Sequence, residues 1–172
     1  KKVGSSEWGR TAYNGKTGWI SLDYTAFYSA PVLEPSENSG LYLKDGYLLG
    51  LSERVDANTL AEDFARQNLA VFAADGSELP ADAFVGTGAT VGLRIGDTVL
   101  QRAVVVVAGD VNGNGRVDVG DYLMIRRHLL GTLELNKPFL LAADSDGNGT
   151  VATVDYIQLK RYLLGTLDVP DL

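Results

Sequence analysis

The sequence predicts a modular chain of the α+β class: a small domain of order β-α-β-β-β over residues 41–108, then an all-α module over 109–172. Three features predict it. Short apolar runs bounded by turn residues surround one helix-like stretch between 41 and 108. A loop dense in Asp, Asn and Gly occurs twice, beginning at Asp110 and at Asp144. Each loop leads into an apolar stretch of helical spacing that ends in Leu-Leu-Gly. Ahead of these lie an aromatic segment over 1–30 and a linker over 31–40.

Within 1–30, Trp8-Gly9-Arg10-Thr11-Ala12-Tyr13-Asn14-Gly15-Lys16-Thr17-Gly18-Trp19-Ile20 reads as two short strands around an Asn-Gly turn. The run resembles the closing part of a bacterial SH3 domain. Some thirty residues are roughly half of such a barrel, and a lone hairpin is marginal in water, so a truncated or alternatively packed segment is expected. Trp8, Tyr13, Trp19 and Tyr24 are expected to be former core positions rather than a ligand platform. The resemblance implies contact with peptides or cell-wall material.

Residues 31–40 combine Pro31, Pro35, Glu34, Glu37 and small polar residues, the composition of a linker. Tyr47-Leu48-Leu49-Gly50-Leu51 is the first strand of the next domain. Asn58 or Thr59 can cap a helix running from Leu60 to Gln67, with Glu62 in its first turn. Ala70-Val71-Phe72-Ala73 is a second strand, and residues 90–95 and 99–107 form a hairpin around Gly96-Asp97. Gly86-Thr87-Gly88 reads as a turn between strands. Val104-Val105-Val106-Val107 is apolar throughout, which places that strand at the centre of the sheet. It runs into the first Asp-rich loop with no linker, so the two modules are expected to pack together.

Both loops read D-x-[DN]-x-[DN]-G-x5-D, the calcium loop of an EF-hand with Asp in place of the closing Glu. Calcium takes several oxygen ligands in a flexible shell, from loop positions one, three, five, seven, nine and twelve. The first set is Asp110, Asn112, Asn114, the Arg116 carbonyl, Asp118 through water, and Asp121. The second is Asp144, Asp146, Asn148, the Thr150 carbonyl and Asp155, with Ala152 where position nine should be polar. Two calcium ions are expected, the second held more weakly. Turn-forming Asp, Asn and Gly could make such loops without metal, but turn chemistry does not demand this register twice.

The stretches after the loops, 121–131 and 155–165, agree at about half their positions, an internal duplication. Tyr122, Ile125 and Leu129 lie on one helical stripe and face their counterparts Tyr156, Leu159 and Leu163 in a two-helix core. A second stripe holds Leu123 and Leu130 in one copy, Ile157 and Leu164 in the other, flanked by Arg126, Arg127, Lys160 and Arg161. Apolar residues rimmed by basic ones outside the core suggest a protein-binding surface. The alternative is that this stripe packs on the neighbouring domain or on the segment around Phe139 and Leu140. No amphipathic helix is expected to enter either loop.

On these residues, 109–172 resembles a dockerin, the all-α module with two EF-hand-like calcium loops that plugs cellulosomal proteins into cohesin domains. The opening Gly-Asp-Val-Asn-Gly-Asn-Gly, the duplication, the basic pair in each helix and the Leu-Leu-Gly endings carry the resemblance. The preceding domain then resembles the companion modules found immediately upstream of dockerins in gut clostridial proteins. The family resemblance implies calcium-dependent folding, cohesin binding on a scaffold or cell-surface protein, and an extracellular location. In the family, loop positions ten and eleven help select the partner. Here these are Val119 and Gly120 in one copy, Thr153 and Val154 in the other. The two copies disagree, and the first, with Met124 in place of Gln158, offers the more apolar patch.

Composition narrows the remaining choices. A formal charge of -7 disfavours nucleic acid and anionic membranes as partners. There is no cysteine, hence no disulfide framework and no thiolate chemistry. No apolar run is long enough to insert into a membrane, and no signal peptide opens the chain, so the C-terminal piece of something longer is expected. The one histidine, His128, is read as a solvated helix position, which leaves Ser21, Ser52 or Ser77 without a base for nucleophilic catalysis. No enzymatic activity is expected of the chain, although its parent protein could be a secreted hydrolase. The alternative to docking is a calcium-stabilised wall-binding fragment of such a hydrolase.

Overall fold

Two compact units, Lys1–Pro31 and Val32–Leu172, make up the chain in the computed structural model, which describes residues 2–3, 6–13, 16–21, 32–64 and 68–167. In the first unit, β1 (Lys2–Val3), β2 (Ser6–Tyr13) and β3 (Lys16–Ser21) form an antiparallel sheet in that order. The register of β2 and β3 runs from Trp8 opposite Ser21 to Tyr13 opposite Lys16. The expected pair of strands is therefore present, while the Asn14-Gly15 turn and Tyr24 lie outside the described residues. Trp19 is 53% exposed and fills no core among these strands.

The second unit contains a five-stranded sheet of order β4-β5-β8-β7-β6. Its strands are β4 (Tyr42–Lys44), β5 (Tyr47–Leu51), β6 (Leu69–Phe72), β7 (Thr90–Ile95) and β8 (Thr98–Val107). β8 sits at the centre, parallel to β5 and antiparallel to β7. Side chains alternate across a strand. Val105 and Val107 accordingly join Leu48, Leu60, Phe64 and Val91 on one face, while Val106 meets Leu49 and Ala142 on the other. Both faces are covered, so the valine run can be apolar throughout.

Three local expectations need correction. β4 was not expected; it pairs with β5 through Asp45-Gly46, both at positive φ (51° and 83°), the backbone that a two-residue hairpin turn demands. The helix α1 spans Ala57–Glu62, and its cap is Asp56, whose carboxylate accepts from the Thr59 N–H at 2.7 Å, rather than Asn58 or Thr59. The stretch read as a linker is tied down from residue 32 onward. Leu33 is buried in the sheet core, its N–H donates to Gln101 Oε1 at 2.6 Å, and Ser36 N–H donates to the Asp63 carbonyl. The one large buried aliphatic side chain, Leu33, decides where it lies.

Beyond β8 come α2 (Val119–Leu129), α3 (Lys137–Ala143) and α4 (Thr153–Leu163). Ile125 and Leu159 are buried between α2 and α4, and the Tyr122 and Tyr156 rings stack at 4.4 Å with their hydroxyls in contact. Leu129, placed in this core by its spacing, is instead 39% exposed. Leu135, Ala143 and Val117 complete the core in its stead. α3 was also missed, and it does enter the second loop, ending one residue before Asp144. It shows no amphipathic period because both its faces are used. Phe139 and Leu140 pack toward α2 and α4, whereas Leu141 and Ala142 pack on β5 and β8.

The sheet and the helices are also joined by close backbone contact. A Cβ on Gly86 would stand 2.1 Å from the Gly113 carbonyl oxygen and 2.7 Å from Gly115 N, so only glycine fits. Gly86→Ala is expected to cost about 2 kcal/mol or more, since backbone must move rather than a flexible side chain. Thermal unfolding of the full chain checks this; an unchanged melting temperature would mean that the two segments separate freely.

Candidate functional site

Each Asp-rich loop is wound around its own carboxylates. In the first, Asp110 is wholly buried. Its Oδ1 accepts from the N–H groups of Gly113 (2.8 Å) and Asn114 (3.1 Å), and its Oδ2 from those of Thr87 (2.8 Å) and Gly115 (3.0 Å). Asp121, also wholly buried, reaches back from the first turn of α2 to the Val111, Asn112 and Asp118 N–H groups at 2.8, 2.9 and 2.8 Å. Asp118 in turn accepts from Gly120 N–H, which makes a reciprocal cap on α2. Asn112 and Asn114 each accept a backbone N–H two residues on, from Asn114 and Arg116 respectively. Arg116 places its guanidinium over the Phe84 ring, 5.0 Å from the centroid.

The second loop repeats the plan with less burial at its mouth. Asp144 accepts from Asn148 N–H (3.1 Å) and Gly149 N–H (2.7 Å). Asp155, wholly buried, accepts from Ser145 N–H (2.9 Å), Asp146 N–H (3.3 Å) and Ala152 N–H (2.7 Å). Asn148 accepts from Thr150 N–H at 2.9 Å. Ala152 offers no side-chain acceptor, so α4 has only the Asp155 half of the cap. Carboxylate oxygens of Asp144, Asp146 and Asp155 lie within 4.8 Å of one another.

These donor sets fit a hard divalent cation. Burial pushes the Asp121 carboxyl up to about 6, with the neighbouring Asp110 charge adding to the rise. Asp110 and Asp144 are raised by burial as well. Among the described residues, no lysine or arginine forms an ion pair with any of these carboxylates. Buried charge of one sign without a partner is costly, and calcium is the counter-charge that oxygen-only loops of this spacing accommodate. The structure thus brings together the carboxylates at positions one, three and twelve of the second loop, and in the first it sets the Asp110 and Asp121 carboxylates close enough to repel each other.

The second stripe is open to solvent in both copies. Leu123 and Ile157 are 45% and 49% exposed, and Leu130 and Leu164 are 66% and 67% exposed. Val119 and Val154 are exposed too, as are Arg126, Arg127, Lys160 and Arg161 beside them. Neither the sheet nor the segment around Phe139 covers this face. Met124 and Gln158 are half-buried, and Gln158 is occupied by the Ser145 hydroxyl at 2.5 Å. His128 is less solvated than its position suggested: Nδ1 lies 3.2 Å from the Leu133 carbonyl, in the turn beyond α2.

Several partners of the first loop could not be seen in its own sequence, because they come from the sheet domain. Thr87 supplies an N–H to Asp110. Glu53 accepts from Val117 N–H at 2.6 Å through Oε2 and from the Tyr162 hydroxyl at 2.7 Å through Oε1. Gly86-Thr87-Gly88, too short to be a phosphate loop, was the one local hint of a close backbone approach.

The family model of the dockerin type I domain matches residues 108–164. No curated protein matches the chain. Among solved structures, two complexes from Acetivibrio cellulolyticus contain similar chains, each pairing the third cohesin of ScaC with the ScaB dockerin in a type I interaction. The one mutated in the N-terminal helix is 36% identical over 37% of this chain and 90% of that chain, with a TM-score of 0.36. The one mutated in the C-terminal helix is 38% identical over 36% of this chain and 86% of that chain, with a TM-score of 0.34. Residues 108–164 thus form a dockerin type I domain.

Proposed function

We propose that the chain is anchored without catalysis to a cohesin-bearing scaffold or cell-surface protein, outside the cell, through the face formed by α2 and α4. One observation carries this reading: an apolar stripe rimmed by basic residues stays exposed on both copies of a duplicated loop-and-helix unit. Such a stripe has no role in the fold, and it matches the make-up of an interface centre. Two calcium ions would be held by Asp110, Asn112, Asn114, the Arg116 carbonyl, Asp118 and Asp121, and by Asp144, Asp146, Asn148, the Thr150 carbonyl and Asp155. Calcium, when bound, supplies the positive centre that draws each set of oxygens together. The chain's own part is to link loop and helix: Asp121 and Asp155 belong to the loops and also to the first turns of α2 and α4. Ordering a loop therefore orders the start of the helix that presents the stripe.

The full chain is expected to be retained on an immobilised type I cohesin in calcium and released by EDTA. Equal retention in EDTA, or none in either buffer, would overturn the reading. The wall-binding alternative rests on the resemblance of residues 1–30 alone, and the exposed Trp19 does not by itself favour it. Among the described residues, no helix is long and apolar enough to cross a membrane.

A further inference from the structure

We infer that Glu53, on the sheet domain, is a positioning residue of the first calcium loop, so that ion binding at 110–121 and docking of the sheet domain are one coupled event. The inference rests on the proposed calcium sites. The peptide group joining Arg116 to Val117 is the centre of it. Its carbonyl is the loop's position-seven oxygen, and its N–H donates to Glu53 Oε2 at 2.6 Å. A carboxylate on the N–H side fixes the plane of that peptide and polarises it, leaving more negative charge on the carbonyl oxygen. Removing a partner that orients a metal ligand typically costs about ten- to a hundredfold in metal affinity.

Neighbouring contacts hold Glu53 and the loop in register. Arg54 N–H donates to the Gly115 carbonyl at 2.8 Å, and Arg54 keeps a left-handed backbone (φ 62°) to do so. A non-glycine residue stays in that region only where its surroundings fix it. The other oxygen of Glu53 accepts from the Tyr162 hydroxyl on α4, so one side chain spans the sheet domain, the first loop and the last helix. Its carboxylate also lies 3.7 Å from Arg54 Nε, a partly exposed pair. In the second copy, among the described residues, no carboxylate meets the Val151 N–H, the group equivalent to that of Val117. The duplicated loops thus differ in a way their own residues do not encode.

The test is a calcium titration of the full chain monitored by two-dimensional amide NMR, in which resonances of 110–121 and of 144–155 report the two loops separately. Glu53→Gln keeps an acceptor for Val117 and a donor for Tyr162 but removes the charge; Glu53→Ala removes both contacts. Glu53→Ala is expected to move the midpoint of 110–121 to roughly tenfold higher calcium or more. Glu53→Gln should fall between Ala and wild type, and the 144–155 midpoint should stay in place in both variants. If both loops shift together in step with a lower melting temperature, Glu53 merely packs the domains, and the inference is wrong. It is equally wrong if neither loop shifts. Should the wild-type resonances fail to respond to calcium at all, the calcium reading itself falls, which is a distinct result.

Discussion

Asp110→Ala is expected to lower the stability of the calcium-loaded chain by about 4 kcal/mol or more, because it strips the acceptor from four backbone N–H groups at roughly 1 kcal/mol each. Asp144→Ala removes the acceptor from two such groups at a less enclosed site, and should cost about half as much. The same order is expected for calcium affinity. Asp110 is tied to Thr87 in the sheet domain and so waits in place for the ion, whereas the second loop lacks that anchor and has Ala152 at its ninth position. A further mark separates a ligand from a structural residue. In EDTA the gap between wild type and Asp110→Ala should narrow, since removing the carboxylate then also relieves a buried, unbalanced charge. Melting curves of the three chains in calcium and in EDTA decide it. A gap that is the same in both buffers, or a larger loss from Asp144→Ala, would reject the ranking.

The second large effect is expected at the exposed stripe. Leu123→Ala combined with Arg127→Ala should weaken cohesin binding by about 3 kcal/mol, roughly a hundredfold, with calcium uptake intact. Ile157→Ala with Arg161→Ala should lose distinctly less. Burial does not make the difference, as the two copies are almost equally open. The difference lies at Val119, Gly120 and Met124 against Thr153, Val154 and Gln158, where the second copy is more polar and Gln158 is already bonded to Ser145. Titration of each paired variant against a type I cohesin measures it. Equal tolerance of both, with collapse only on combining them, would show two interchangeable docking modes and overturn the asymmetry.

What the sequence made legible was whatever depends on neighbours along the chain. Loop ligands at fixed spacing, helix faces at 3.6 residues per turn and the central position of an all-valine strand each leave a local trace. Leu123, Leu130, Ile157 and Leu164 stand clear of the core because Tyr122, Ile125, Tyr156 and Leu159 already fill it. The misreadings have a common cause: partners distant in sequence. α3 has no apolar period because it faces two cores at once, and Leu129 is displaced from the helical core by residues of the connection beyond it. Leu33 was hidden among prolines and glutamates whose composition spoke for a linker. Glu53 carried no signal, since an acidic residue in a turn is ordinary until its acceptor atoms are seen against Val117 and Tyr162. β4 is a different case, for Asp45-Gly46 was a local hairpin signal that went unread.

The double duty of α3 has a practical consequence for protein engineering. Leu141 and Ala142 complete the sheet's second face with Leu49 and Val106, while Phe139 and Leu140 belong to the helical core. A fusion tag cut at residue 109 would carry a strip of bare hydrocarbon that the host protein does not match, and the donor left behind would lose the cover of its central strand. Chimeras that borrow this anchor are better cut ahead of residue 32, so that the sheet travels with the helices as a single cassette.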